Sequence, residues 1–167
     1  MASKSTGVEG VLRHLDNGAT AWCNGDLPDD AGLIQITGDC RAELLATAAL
    51  LDANPLPTVS LRPDDFEMPA CRETMARARD ALENGVGFCV IDRLPVDTVA
   101  PDTATGLYWL LINMLGQTVA QKWDGTMIYD VTDTGQSFNY GVRGSYTNVE
   151  LFFHNDKQSL SLLGCLP

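Results

Sequence analysis

The feature that most limits the fold of this chain is a change of sequence pattern near Trp123, from helical to strand-like. After that point, four short apolar or β-rich runs have the character of strands: 127–131, 138–142, 149–154 and 160–165. Helices first and strands later predict an α+β protein with an antiparallel sheet. Because a domain that stopped within an apolar strand would leave an unpaired edge, we expect the remaining strands beyond Pro167.

The first 116 residues alternate between helical periodicity and short β-rich runs. Asp39 is predicted to cap the first helix, whose apolar face is Leu44, Leu45, Ala48 and Leu51, and Pro55 and Pro57 are predicted to stop it. The predicted strands of this part are 20–23, 33–37 and 87–91. The last of them is apolar on both faces, so we expect it at the centre of a sheet.

Two further helices are predicted in this part. One runs from about Pro69 to Leu82 and buries Cys71, Met75, Ala78 and Leu82, with Asn84-Gly85 as its stop. The other follows Pro101 and buries Leu107, Leu110, Leu111 and Met114, with Gly116 past its end.

The composition is that of a globular protein of 167 residues, 45% hydrophobic and 20% charged. A net charge of −11, with no run among the 11 basic residues, argues against a nucleic-acid partner. The five cysteines are odd in number and contain no CxxC pair, which argues against a disulfide scaffold or a zinc ribbon. The sequence has neither a signal-peptide pattern nor an apolar run long enough for a membrane span, so we expect a cytoplasmic protein with no membrane partner.

The main candidate for chemistry is the tripeptide His154-Asn155-Asp156, at the end of the apolar run 149–153. Side chains alternate along a strand, so His154 and Asp156 are expected to point the same way and Asn155 the opposite way. An imidazole and a carboxylate side by side are two of the three ligands of a 2-His-1-carboxylate iron site. The other histidine of the chain, His14, lies in a helix-like segment far from this run, so the third ligand is not visible.

The surroundings of His154 bear on two interpretations of this pair. The ordinary one is a surface histidine next to an acid, and the other is the pair of metal ligands described above. However, the face that would carry His154 also carries Asn148, Glu150 and Phe152, an unusually polar lining for a buried face. A loop rich in Gly, Ser, Tyr and Asn precedes the run, as is typical of the rim of a pocket.

Four residues are candidates for substrate binding. Asn148 and Glu150 share the face of His154, and a carboxylate there could bind a cationic amine such as an amino-acid ammonium group. The alternative for Glu150 is an ion pair with Arg143 or Lys157 at a strand edge. Tyr146 and Gln136 fall on predicted rim loops, where the alternative is the ordinary polarity of turns.

The segment 147–156, Thr-Asn-Val-Glu-Leu-Phe-Phe-His-Asn-Asp, resembles the proximal metal segment of a known enzyme family. This family is the taurine dioxygenase and clavaminate synthase-like group of iron(II)/2-oxoglutarate oxygenases. Ala21-Trp22 followed by Gly25-Asp26-Leu27 is similar to the opening of these proteins. The segment 85–95 resembles their element of glycine, phenylalanine, strand, turn and proline.

The resemblance implies a double-stranded β-helix, or jelly roll, with helices packed outside. On this basis, 1–167 is a single incomplete oxygenase domain, in which 1–84 form a mostly helical flanking region with short strands and 85–167 the first part of the jelly-roll core. His154 and Asp156 would be catalytic iron ligands, and 2-oxoglutarate and dioxygen would be co-substrates. The expected reaction is hydroxylation or desaturation of an unactivated C–H bond of an amino acid or an amino-acid-derived metabolite.

In this family a distal histidine and a 2-oxoglutarate-binding arginine come from later strands, and this sequence contains no counterpart to either. Two alternatives therefore stay open. One is a non-catalytic jelly-roll module for binding or interaction, or an inactive fragment. The other is a cupin-like metal enzyme, which predicts a second histidine close to the first, and His154 has no such neighbour.

Overall fold

A computed structural model of the protein describes residues 22–23, 25–135, 137, 147 and 149–150. Within these residues the architecture is mostly helical, with a sheet of two parallel strands. The strands are β1 (Leu33–Gln35) and β2 (Val90–Asp92), and the helices are α1 (Gly38–Ala53), α2 (Pro69–Glu83) and α3 (Pro101–Leu115). Three short 3₁₀ turns complete the order: Thr58–Ser60 and Pro63–Asp65 between α1 and α2, and Val96–Thr98 between β2 and α3.

The prediction of a double-stranded β-helix is wrong for the part of the chain that the structure describes. No jelly-roll sheet is present there, and the single sheet pairs Leu33 with Val90 in parallel rather than antiparallel register. No residue of the predicted strand 127–131 is in a strand. Trp22 and Cys23, the described residues of the predicted strand 20–23, are not in a strand either. High β propensity alone does not make a strand, because the strand needs a partner and a surface to cover.

The two strands that do form are shorter than predicted. The run 33–37 forms a strand over Leu33–Gln35, and the run 87–91 contributes Val90–Asp92. Val90 is 55% exposed, so β2 is not the buried central strand that its apolar sequence indicates. The predicted strands 138–142 and 160–165 lie outside the described residues. Of 149–154, only Val149 and Glu150 are described, and neither belongs to a strand.

Helix α1 begins two residues earlier than Asp39 indicates. The side chain of Thr37 accepts a hydrogen bond from the backbone N–H of Cys40 at 3.1 Å and therefore serves as the N-cap. The buried face is formed by residues at helical spacing: Cys40, Leu44, Thr47, Ala48 and Leu51. Leu45, expected on this face, is 40% exposed. It directly follows the buried Leu44, and consecutive residues of a helix point to different sides of it.

Helix α2 confirms the predicted bounds to within one residue. Pro69 occupies its first position, where a missing N–H costs nothing, and Asn84 is its C-cap. Its buried residues are Cys71, Thr74, Met75 and Ala78.

Helix α3 is the most deeply buried of the described helices, and the core forms where α1 and α2 pack against it. Leu107, Leu110 and Leu111 are buried as predicted, whereas Met114 is only half-buried. Trp109 is buried and donates its Nε1–H to the carbonyl of Leu61 at 3.2 Å. The hydroxyl of Thr103 hydrogen-bonds the carboxylate of Asp52, which ties α3 to the end of α1.

The chain divides into two compact units, Met1–Leu115 and Gly116–Pro167. The first contains both strands, the three helices and the three 3₁₀ turns described above. In the second, the described residues include a turn in which the Thr126 hydroxyl donates to Asp124 at 2.6 Å, and Lys122 lies 4.6 Å from the centre of the Tyr129 ring. None of the helices in the described stretches is long and apolar enough to cross a membrane.

Candidate functional site

Most of the predicted site falls outside the residues that the structure describes. The proposed iron ligands His154 and Asp156 are not among the described residues, and neither are three candidate substrate-binding residues, Asn148, Tyr146 and Gln136. The other histidine, His14, also lies outside the described residues. Glu150 is described, and it is exposed. The pairing of His154 with Asp156 therefore stays a prediction.

Two of the segments that carry the family resemblance lie against each other. The Trp22 Nε1–H donates to the carbonyl of Val86 at 3.0 Å, across 64 residues of sequence. The indole of Trp22 also meets the ring of Phe88 edge to face, with ring centroids 5.5 Å apart. The opening segment is thus packed on the glycine–phenylalanine segment that leads into β2.

Phe88 also lies close against the backbone of Gly32. Gly32 has φ +68°, and a Cβ at this position would lie 2.7 Å from the carbonyl oxygen of Phe88 and 2.9 Å from its ring atom Cε2. Only glycine fits such a left-handed conformation at so close an approach. The carbonyl of Gly32 accepts the backbone N–H of Val90 at 2.9 Å, so the same residue starts the β1–β2 pairing.

The unit Met1–Leu115 contains a buried pair of neighbouring thiols. Cys40 lies in the first turn of α1 and Cys71 in the first turn of α2. Their Sγ atoms are 3.2 Å apart, and both residues are at most 1% exposed. The Cys71 Sγ also lies 3.4 Å from the carbonyl oxygen of Cys40, to which its thiol can donate.

Glu43 holds the two helix starts together. Its Oε1 accepts the backbone N–H of Ala70 and its Oε2 that of Cys71, both at 2.9 Å. These are N–H groups that helix α2 leaves without partners of its own, and Met68 at the N-cap supplies no side-chain hydrogen bond. A carboxylate from α1 therefore caps α2 from outside.

The environment of the thiol pair makes its two members unequal. The hydrogen bond with Cys71 lowers the pKa of Cys40 to about 7, against the opposing effects of burial and of the Glu43 carboxylate. The same hydrogen bond, burial and the charge of Glu43 raise the pKa of Cys71. Cys40 is consequently the member that ionises first, with Cys71 as its hydrogen-bond donor.

Sequence reasoning missed this pair, because cysteine in an apolar pattern is most often a small buried hydrophobe. A local signal exists: Pro69 at the first position of α2 puts Cys71 at the third, and Thr37 as N-cap puts Cys40 at the third position of α1. The contact between these two first turns depends on tertiary packing, which the local sequence does not indicate.

Within the described stretches, no group of three or more His, Cys, Asp or Glu residues is placed to hold a metal ion. Comparison with models of protein families gives no match, and neither does a search of curated proteins.

Proposed function

We propose that the protein is an iron(II)/2-oxoglutarate-dependent oxygenase that hydroxylates or desaturates an unactivated C–H bond of an amino acid or a metabolite derived from one. The observation that carries the proposal is the His154-x-Asp156 pair at the end of an apolar run. Its imidazole and carboxylate are the ligand types of a 2-His-1-carboxylate iron centre. The proposal depends on this donor set and not on a jelly-roll sheet.

The packing of Trp22 on Phe88 supports the family resemblance behind this proposal. The two segments that resemble the family are far apart in sequence, 64 residues where Trp22 bonds Val86. A ring contact of 5.5 Å and a hydrogen bond of 3.0 Å join them.

The roles proposed for the chain's own residues follow from their chemistry. His154 must be neutral and Asp156 ionised to bind iron, so acid weakens metal binding by protonating both. Bound iron, with 2-oxoglutarate and dioxygen, supplies the oxidising power of the reaction. Glu150, exposed in the structure, can accept hydrogen bonds from a substrate ammonium group, and Asn148 can orient the same substrate. Tyr146 and Gln136 complete the proposed substrate contacts.

The remaining proposed partners are small molecules. They are dioxygen and the substrate, with neither nucleic acid nor membrane. We also propose that the protein is cytoplasmic, because its four described cysteines, Cys23, Cys40, Cys71 and Cys89, are free thiols, as a reducing compartment favours.

The experiment that tests the proposal measures succinate formation. The protein is incubated with iron(II), 2-oxoglutarate and a panel of amino acids in air. We expect succinate to form with at least one amino acid and to be lost in Asp156→Ala. Asp130→Ala, which removes an exposed acid of the same unit, is the matched control and should retain activity. No succinate across the panel, together with no iron binding, would favour a non-catalytic binding module.

A further inference from the structure

We propose that Cys40 and Cys71 are a redox modification site, at which a small peroxide converts the two thiols into a disulfide bond joining α1 to α2. Their Sγ atoms are 3.2 Å apart, and a disulfide requires about 2.05 Å. The two sulfur atoms must therefore approach each other by roughly 1 Å for the bond to form.

The position of both cysteines at helix starts supports their reactivity. Cys40 and Cys71 each lie in the first turn of a helix, near the positive end of the helix dipole. This position favours a thiolate over a thiol. The Glu43 carboxylate neutralises part of the field, since it accepts the N–H groups of Ala70 and Cys71. The lowered pKa of Cys40 agrees with a thiolate at this residue near neutral pH.

The chemistry needs only a peroxide as the oxidant. The Cys40 thiolate attacks one oxygen of hydrogen peroxide, the O–O bond breaks, and a sulfenic acid forms on Cys40 while the departing hydroxide takes a proton to become water. The Cys71 sulfur then attacks the Cys40 sulfur and expels hydroxide, which receives the Cys71 proton. Overall, two thiols lose two electrons and two protons, and one peroxide becomes two waters.

Burial decides which oxidant can reach the pair. Cys40 is 1% exposed and Cys71 is fully buried, so a bulky disulfide such as oxidised glutathione cannot approach. Hydrogen peroxide is close to water in size, so it is the oxidant we expect to reach a buried pair of thiols. Cys23, by contrast, is exposed, and its reaction with both oxidants provides an internal reference.

The consequence of the bond is a covalent tie across 31 residues of sequence, between the first turns of two core helices. Such a tie restricts the unfolded chain and so raises the melting temperature, by about 5–10 °C for a protein of this size. Reduction removes the gain. Oxidation by peroxide therefore changes the thermal stability of the unit Met1–Leu115, which contains both helices.

The test treats the metal-free, fully reduced protein with hydrogen peroxide in the presence of a chelator, then maps disulfides by mass spectrometry after blocking free thiols. We expect a peptide linked through Cys40 and Cys71, two mass units lighter than the reduced pair, and a melting temperature that rises and returns on reduction. In Cys71→Ser, a sulfenic-acid trap should label Cys40 instead. Cys23→Ser, which removes the exposed thiol, should leave the linkage intact.

The contrary result is equally definite. If Cys23 is fully oxidised while Cys40 and Cys71 stay reduced in the folded protein, or if they link only after unfolding in urea, the inference is wrong. Circular dichroism of Cys71→Ser checks that the variant is folded, and Cys71→Ala is the second variant if it is not. Neither outcome bears on iron binding, so this inference and the proposed oxygenase function fail separately.

Discussion

The carboxylate of Glu43 accepts the backbone N–H of Cys71 at 2.9 Å, so a side chain of α1 caps the start of α2. Its second oxygen accepts the neighbouring N–H of Ala70. Caps of this kind are usually supplied by the residue just before the helix, but here that residue is Met68, which has no suitable group. The start of α2 therefore depends on its packing against α1.

Replacement of Glu43 by alanine should destabilise the protein by about 1–2 kcal/mol, because two partly buried N–H groups lose their partner. Glu73→Ala, which removes an exposed glutamate from α2, is the control and should change stability by less than about 0.5 kcal/mol. Urea denaturation followed by circular dichroism measures both. Equal effects in the two variants would contradict the capping role.

Gly32→Ala should cost about 2–4 kcal/mol, through the left-handed backbone and the clash with Phe88 together. Two glycines separate these contributions. Gly25 has φ +95° with nothing within 4 Å of a Cβ, so Gly25→Ala should show the backbone cost alone, about 1 kcal/mol. Gly38 has neither feature and should tolerate alanine. A ranking in which Gly32 is no worse than Gly25 would argue against close packing on Phe88.

Arg79 closes the end of α3 and should contribute about 1 kcal/mol to stability. Its Nη2 donates to the carbonyls of Met114 and Leu115, at 2.8 and 2.7 Å, which are the last two residues of that helix. Arg79→Met should lower the urea midpoint, and the loss should shrink in high salt because part of it is a charge–dipole attraction. Arg77→Met is the control, because it changes an exposed arginine of α2, the helix that also carries Arg79.

The stability of the reduced protein should rise as the pH increases from about 7 towards 9. The folded state lowers the pKa of Cys40 to about 7 from an ordinary value of 9.0, so between these values the unfolded chain binds more protons than the folded one. Below pH 7 this contribution is lost, and above pH 9 the raised pKa of Cys71 opposes it. Urea titrations with a reductant measure the slope, which should be smaller in Cys40→Ala. Parallel slopes for the two proteins would show that Cys40 does not titrate in this way.

The helices could be predicted from the sequence because their signals are local. Pro69, Pro101 and Asn84 mark ends that the structure confirms within one residue. The start of α1 differs by two residues, since Thr37 supplies the capping oxygen in place of Asp39. Helix ends are the least certain part of a sequence-based prediction, and shifts of one or two residues are expected there.

The sheet could not be predicted in the same way, because strand pairing is not local. Leu33 and Val90 pair although two helices lie between them in the sequence. Neither sequence run indicates which strand it pairs with, or whether the pairing is parallel or antiparallel. The run 127–131 has strand composition but forms no strand. The contact between Cys40 and Cys71 has the same origin, since it depends on how α1 and α2 pack. Of the proposed iron site, only the exposure of Glu150 is described.

The most direct measurement for the proposed function is an anaerobic titration of the protein with iron(II), read out as metal retained after desalting. We predict that the unmodified protein retains iron and that His154→Ala and Asp156→Ala each lose it. His14→Ala, which removes the other histidine, should retain it as the matched control. Iron retention that is unchanged by His154→Ala, or that is lost in His14→Ala alone, would contradict the account.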